Sequence, residues 1–197
     1  MARSAAYHVP FRRRREGKTD YYQRKELVKS RKIRLVVRGT LSHFIVQFVK
    51  AEQKGDRILV AATSKELTTK YGWKAPCGNL PAAYLTGLLA GLKAKKKELK
   101  EAVLDVGVKK PVKGSRIYAG FMGVLDAGIS VPHGEDIFPP IERIRGEHIA
   151  NYWKTIENPE ERERRFSQYL KNGLTPEELP KHFEEVKNNI KNAFPDA

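Results

Sequence analysis

KIRLVVRGTLSHFIVQFVKAEQKGDRILVAATS, residues 32–64, sets the fold. Ile33, Leu35 and Val37 alternate with Arg34, Val36 and Arg38, a period of two with the apolar set facing inward. Gly39-Thr40 suits a tight turn, and LSHFIVQFVK (41–50) continues with the aromatic and β-branched residues that strands favour. Gly55-Asp56 marks a second turn, after which RILVAATS (57–64) reads as a third strand. Short turns between neighbours predict an antiparallel meander.

Downstream of the meander the pattern lengthens to that of helices. Residues 64–79 read as irregular, with a loop signal in GWKAPCGN. A helix is expected from about Pro81 to about Lys97, N-capped by Asn79, with Pro81 in the first turn, where its missing N–H costs nothing. Leu80, Tyr84, Leu85, Leu88, Leu89 and Leu92 form its apolar stripe, and Ala83, Gly87, Ala90 and Gly91 permit close packing. Lys93, Lys95, Lys96 and Lys97 suit the negative end of the helix dipole. AVLDV (102–106) reads as a fourth strand and SRIYAGFMGVLDAG (115–128) as a second helix, against which Gly120 and Gly123 weigh. Residues 129–140 read as loop, and 141–152 as a further helix.

The last stretch carries two helix starts, Asn158-Pro-Glu-Glu and Thr175-Pro-Glu-Glu, with Pro180 breaking or restarting the second. The expected architecture is therefore α/β, ordered β-β-β-α-β-α, with a basic arm before it and a helical tail after it. The boundaries fall as an arm at 1–31, a domain at 32–150 and an extension at 151–197.

Charge separates these parts. Across 197 residues the formal net charge is +15, with a pI near 9.9, which implies a polyanionic partner. Residues 1–38 hold 13 Lys/Arg against 3 Asp/Glu, whereas residues 151–197 hold 8 against 9. Solubility alone gives no reason for that concentration. The arm, FRRRREGKTDYYQRKELVKSRK (11–32), is too poor in aliphatics to bury a face and is expected to be extended or disordered by itself. A short helical turn is possible over Tyr21–Ser30. Guanidiniums pair with phosphates, and tyrosine rings stack on unpaired bases. Those two chemistries make Arg12, Arg13, Arg14, Arg15, Lys18, Tyr21, Tyr22, Arg24, Lys25, Lys29, Arg31 and Lys32 the candidate RNA-contacting residues. Arg34 joins them as a continuation of the surface onto the sheet, with Arg38 beside it; both equally fit a solvated open face. The lysines at 93–100 have a structural reason in helix-end electrostatics and solvation, with RNA contact as the lesser alternative.

Several functions are disfavoured. The five histidines and the single Cys77 lack the paired spacing of a zinc site, and one cysteine allows no intramolecular disulfide, which fits a reducing compartment. No run of about 18 apolar residues suggests a membrane span. No phosphate-binding glycine loop or nucleophile elbow occurs. Gly120-Phe-Met-Gly123 lies inside an apolar pattern, unlike the backbone-clamping loop of KH domains. A two-metal nuclease of ribonuclease H type needs a carboxylate on its first strand. IRLVVRG and LSHFIVQFV have none, and Asp105, Asp126, Glu135 and Asp136 are the nearest approach to an acidic cluster. Neither a cofactor nor a small-molecule substrate is expected.

FRRRREGKTDYYQRK (11–25) resembles the N-terminal signature of the universal large-subunit ribosomal protein eighteen family, whose eukaryotic counterpart is large-subunit protein five. KYGWK (70–74), NLPAAYLTGLLAGLKA (79–94), VLDAGISVPHGEDIFP (124–139) and ERIRGEHIA (142–150) resemble its archaeal form, in the family's order. The resemblance implies a structural role in the cytoplasmic large ribosomal subunit. The implied partners are 5S rRNA, 23S rRNA at the central protuberance, and neighbouring large-subunit proteins. It also implies an α/β domain whose N-terminal arm lies on RNA. Tyr71 and Trp73 share in the resemblance, with their facing, RNA or core, left open. The rival from another class is a non-ribosomal RNA chaperone or processing factor, which would bind many RNAs alike.

Overall fold

In the computed structural model, which describes residues 4–195, the meander forms as β1 (Arg34–Gly39), β2 (Phe44–Glu52) and β3 (Gly55–Thr63). Both junctions are antiparallel, with Val37 opposite Val46 and Val46 opposite Ala62. The fourth strand, β4 (Val103–Asp105), lies parallel to β1, so the sheet order is β3-β2-β1-β4. Leu35, Val37, Phe44, Val46 and Phe48 point to one face and are fully or almost fully buried. A register shift at Phe48/Val49 interrupts the alternation in β2, and both residues are buried there.

The inner face is covered by α4 (Leu80–Lys95) and α5 (Arg116–Asp126). Asn79 caps α4 by accepting the Ala82 N–H at 2.8 Å, as its sequence position predicts. The helix is buried on nearly every side, not along one stripe, because β2 and β3, α5, and the C-terminal helices enclose it. Glycines make the α4–α5 contact. A Cβ on Gly87 would collide with the Gly120 carbonyl, and one on Gly123 with the Tyr84 carbonyl. The two glycines that weigh against helix in α5 are therefore its contact surface, and backbone packs on backbone.

Three stretches differ from the sequence expectation. Within 64–79, Ser64–Lys70 forms helix α3, started by Glu66 accepting the Thr63 N–H at 3.1 Å. Over 141–152 there are two helices, α6 (Ile141–Arg145) and α7 (Glu147–Thr155), because Gly146 takes a left-handed φ of +89°. The arm is folded: helices α1 (Arg12–Arg15) and α2 (Tyr21–Lys29) replace an extended chain, and Asp20 caps α2 through the Tyr22 and Gln23 N–H groups. Residues 1–3 of the expected arm and 196–197 of the expected tail lie outside the described residues.

The tail is integral to the core. Asn158 caps α8 (Pro159–Arg165) by accepting the Glu160 N–H, α9 (Ser167–Lys171) follows, and Pro180 restarts the chain as α10 (Leu179–Asn192). Phe166, Tyr169, Leu174, Leu179, Phe183, Val186 and Ile190 are buried in the same cluster as the sheet residues. A boundary at 150 would cut α7 and divide that cluster. Trp73 is core as well, 1% exposed, with its indole 5.2 Å from the His182 ring and nearly parallel to it. His182 Nε2 accepts the Lys74 N–H at 3.1 Å, which fastens α10 to the 70–74 loop.

Two predictions follow from this packing. Gly87→Ala forces the α4–α5 backbones apart and should cost at least about 1–3 kcal/mol, the usual range for overpacking. Thermal denaturation should show a lowered midpoint, whereas Gly134→Ala, whose added Cβ meets nothing within 4 Å, should leave it unchanged. Burial holds the His182 imidazole below its ordinary value, against the pull of the Glu185 carboxylate 3.5 Å away. A depressed histidine is neutral in both folded and unfolded chains well above about pH 6.5, and below it the unfolded chain takes up the proton first. Stability should therefore decline as pH falls from 7.5 to 5.5. His182→Gln should make that decline shallower in melts across the range, and an unchanged slope would remove His182 as a contributor.

Candidate nucleic-acid interface

The outer face of the sheet carries an alternating ladder of charge. Arg24, on α2, donates to Asp56 Oδ2 at 2.8 Å. Asp56, at the start of β3, lies 2.8 Å through Oδ1 from Arg34 Nη2, a charge contact off the alignment of a hydrogen bond. Arg34 Nη1 donates to Asp105 Oδ2 at 3.2 Å, and Arg38 Nη2 donates to Asp105 Oδ1 at 2.8 Å. Burial alone would raise the Asp56 carboxyl, but the Arg34 and Arg24 guanidiniums outweigh it and hold the group below its usual value. The ladder joins the arm to β3, β1 and β4, and a cleft of about 250 Å³ remains between arm and sheet, walled by Arg13, Lys18, Arg24, Arg38 and Gly107 among others.

Arg34 therefore does not lie on an open face. It is 2% exposed, held between two carboxylates, and its Nε is buried without a partner. The alternation did place it on the outer face. The arm then folds over that face, a tertiary event that strand periodicity does not report.

The remaining candidates keep solvent contact and fall into two groups. Arg12 and Lys18 pair with Glu16 at 3.1 and 2.9 Å, and Arg13 donates to Thr19 at 2.8 Å, so these three shape the arm's bend. Arg15, Lys25, Lys29 and Arg31 are exposed and form no ion pair among the described residues; Lys32 stands 3.7 Å from the exposed Glu101. The two tyrosines divide likewise. Tyr21 is half-buried against Phe11, ring centroids 5.1 Å apart, whereas Tyr22 is 71% exposed with the Arg14 guanidinium 5.2 Å from its ring. Tyr22 and Arg14 thus face outward together, and Tyr21 lies against Phe11.

Lysines at the C-terminal end of α4 serve the sheet edge. Lys93 donates to the Ala61 carbonyl and to Glu66, and Lys97 to the Leu59 carbonyl at 2.6 Å. They occupy acceptors of the edge strand β3 that would otherwise recruit another strand. Asp126 is equally committed, accepting the Tyr84 hydroxyl at 2.6 Å; burial first, and this bond second, push that phenol's pKa up. Among the described residues no group of three or more His, Cys, Asp or Glu could hold a metal ion. No helix of the described chain is long and apolar enough to cross a membrane. What sequence reasoning missed is Asp56, read only as a turn residue; an acid near the start of a strand in the same meander as β1, which bears Arg34 and Arg38, was the available signal.

Removing one partner from a buried pair leaves an uncompensated charge, at a cost of about 3–5 kcal/mol. Asp105→Ala removes the more buried of the two Arg34 carboxylates and unpairs Arg38 as well, and should approach that range by urea denaturation. Asp56→Ala leaves Arg34 its Asp105 partner and should cost less. The reverse order would contradict the ladder as described.

The family described as ribosomal large subunit proteins 60S L5 and 50S L18 matches residues 5–102. Large ribosomal subunit protein uL18 of Aeropyrum pernix is 55% identical over 196 residues, covering 98% of this chain and 92% of that protein.

Proposed function

As the chain belongs to the family of ribosomal large subunit proteins 60S L5 and 50S L18, a structural constituent of the large ribosomal subunit and not a catalyst, we propose that it binds 5S rRNA and helps attach it to 23S rRNA in the central protuberance. The observation that carries the reading is the arm. Arg24 ties its root to the sheet through Asp56, while Arg14, Arg15, Tyr22, Lys25 and Lys29 face outward. The arginines and lysines take phosphates, and the Tyr22 ring with Arg14 above it takes an unpaired base.

A preformed arm changes the energetics. Ordering a residue's backbone costs about 1–2 kcal/mol, and residues 12–15 and 21–29 are already helical in the free chain. Less of the phosphate and stacking energy is consumed in folding the arm, and more appears as affinity. The folded domain fixes where the arm's root stands, and through it the register of the whole contact. Within the particle its further contacts are with 23S rRNA and neighbouring large-subunit proteins.

The test is binding to labelled 5S rRNA against excess tRNA over a range of salt. Neutralising about 6 phosphates predicts that log K falls about 4–5 units per decade of salt. Replacing Arg14, Arg15, Lys25 and Lys29 by alanine should make that slope shallower by about 3 and weaken binding at fixed salt at least tenfold. Equal affinity for tRNA and 5S rRNA would instead describe a general RNA binder, such as a chaperone or processing factor.

A further inference from the structure

Between β4 and α5 the chain runs VKKPVKGSR (108–116), four cations without an acid. Lys109, Lys110 and Lys113 are exposed, and none of them forms an ion pair among the described residues. Asp136, beside the loop at Ile137, leaves them unpaired too.

The loop is braced from several sides. Arg116 donates to the Gly78 carbonyl and to Thr40 O at 3.3 Å, and Lys109 to the Gly39 carbonyl. The Gly114 N–H donates to Ile137 O at 3.0 Å, with Gly107 and Gly114 in the left-handed region at φ +66° and +68°. These bonds lay the loop against the β1–β2 turn, where Leu41 is 93% exposed, and they leave Val108 and Val112 52% and 61% exposed. Lys110, Lys113, Val108 and Val112 stand in water and take no part in that bracing.

We propose that this loop, with the 39–42 turn, is a second contact surface for an RNA sugar–phosphate backbone. The proposal deepens the RNA-binding reading above and rests on it. Gly107, where the loop begins, shares the wall of the arm–sheet cleft with Arg13, Lys18, Arg24 and Arg38, so the loop prolongs the arm's cationic surface. One strand can pass from the arm across the cleft to the loop. Lysines suit this end because a compact, mobile point charge neutralises phosphate without the bidentate geometry that fixes register. The exposed Leu41, Val108 and Val112 lie against sugars. An acidic protein is the competing polyanion, and the continuity with the arm favours RNA.

The experiment uses the full chain with Lys110→Ala and Lys113→Ala together, and a second variant with arginine at both positions. Binding to 5S rRNA and to 23S rRNA is followed against salt, with melting temperature as the control for folding. The alanine variant should keep its melting temperature and lose about 1.5–2 units of salt slope on at least one RNA, two phosphates' worth, and the arginine variant should keep the slope. An unchanged slope on both RNAs, with the arm variant still shallower, overturns the loop and leaves the RNA reading standing. The same holds if the alanine variant instead loses only a protein neighbour from assembled subunits. Failure of the unaltered chain to bind either RNA overturns both.

Discussion

The burial of Arg34 constrains everything on the outer face of the sheet. A guanidinium taken out of water pays a desolvation penalty of several kcal/mol, repaid only by close opposite charge. Asp105 on the parallel edge and Asp56 across β2 supply it, and each then holds a second arginine, Arg38 and Arg24. The order Arg24–Asp56–Arg34–Asp105–Arg38 thus stitches β3, β1 and β4 together on the side where no helix of the α4–α5 layer covers them. Arg24 also fixes the root of an arm that has no buried residue in either of its helices. Without that bond little would hold α2 over the sheet.

On the opposite face the constraint is volume. α4 reaches α5 so closely that only hydrogen fits at Gly87 and Gly123, and Gly91 faces Ala127 in the same way. That closeness leaves α4 free to meet β2 and β3 on one side and the C-terminal helices on the other. The tail then closes the core with Leu179, Phe183, Val186 and Ile190, and His182 pins it to the 70–74 loop. Residues 64–95 and 179–192 are therefore one packing unit despite their separation in sequence.

The meander was legible because its core residues alternate without exception from Leu35 to Val37 and from Phe44 to Phe48, and α4 because Asn79 and Pro81 announce it. The arm's cations were legible from composition alone. What was not legible depended on tertiary partners. Gly120 and Gly123 look like helix breakers until α4 is placed against them. Arg34 looks solvated until the arm covers it. The tail reads as an extension because its net charge is near zero, although Leu179, Phe183, Val186 and Ile190 stand at helical spacing and were a readable sign that α10 docks. α3 was readable too, for Thr63 and Glu66 stand at capping-box spacing and mark a start in sequence.

The same distinction sorts the chain's excess of positive charge. Cations that meet a carboxylate inside the fold, Arg34 and Arg38 at Asp105 or Lys93 at Glu66, are structural whatever their neighbours in sequence. Arginine predominates in the ladder, where a fixed fork must satisfy two carboxylates at once. Arg15, Lys25, Lys29 and the lysines of the 108–116 loop stand in water without such partners among the described residues. Their mutual repulsion is a standing cost to the free protein, relieved only when a polyanion lies along them. Arg24 stands between the two groups, partly exposed and paired at Asp56. That bond holds it at the boundary, so the place where the arm's outward cations begin is set by a carboxylate of the sheet.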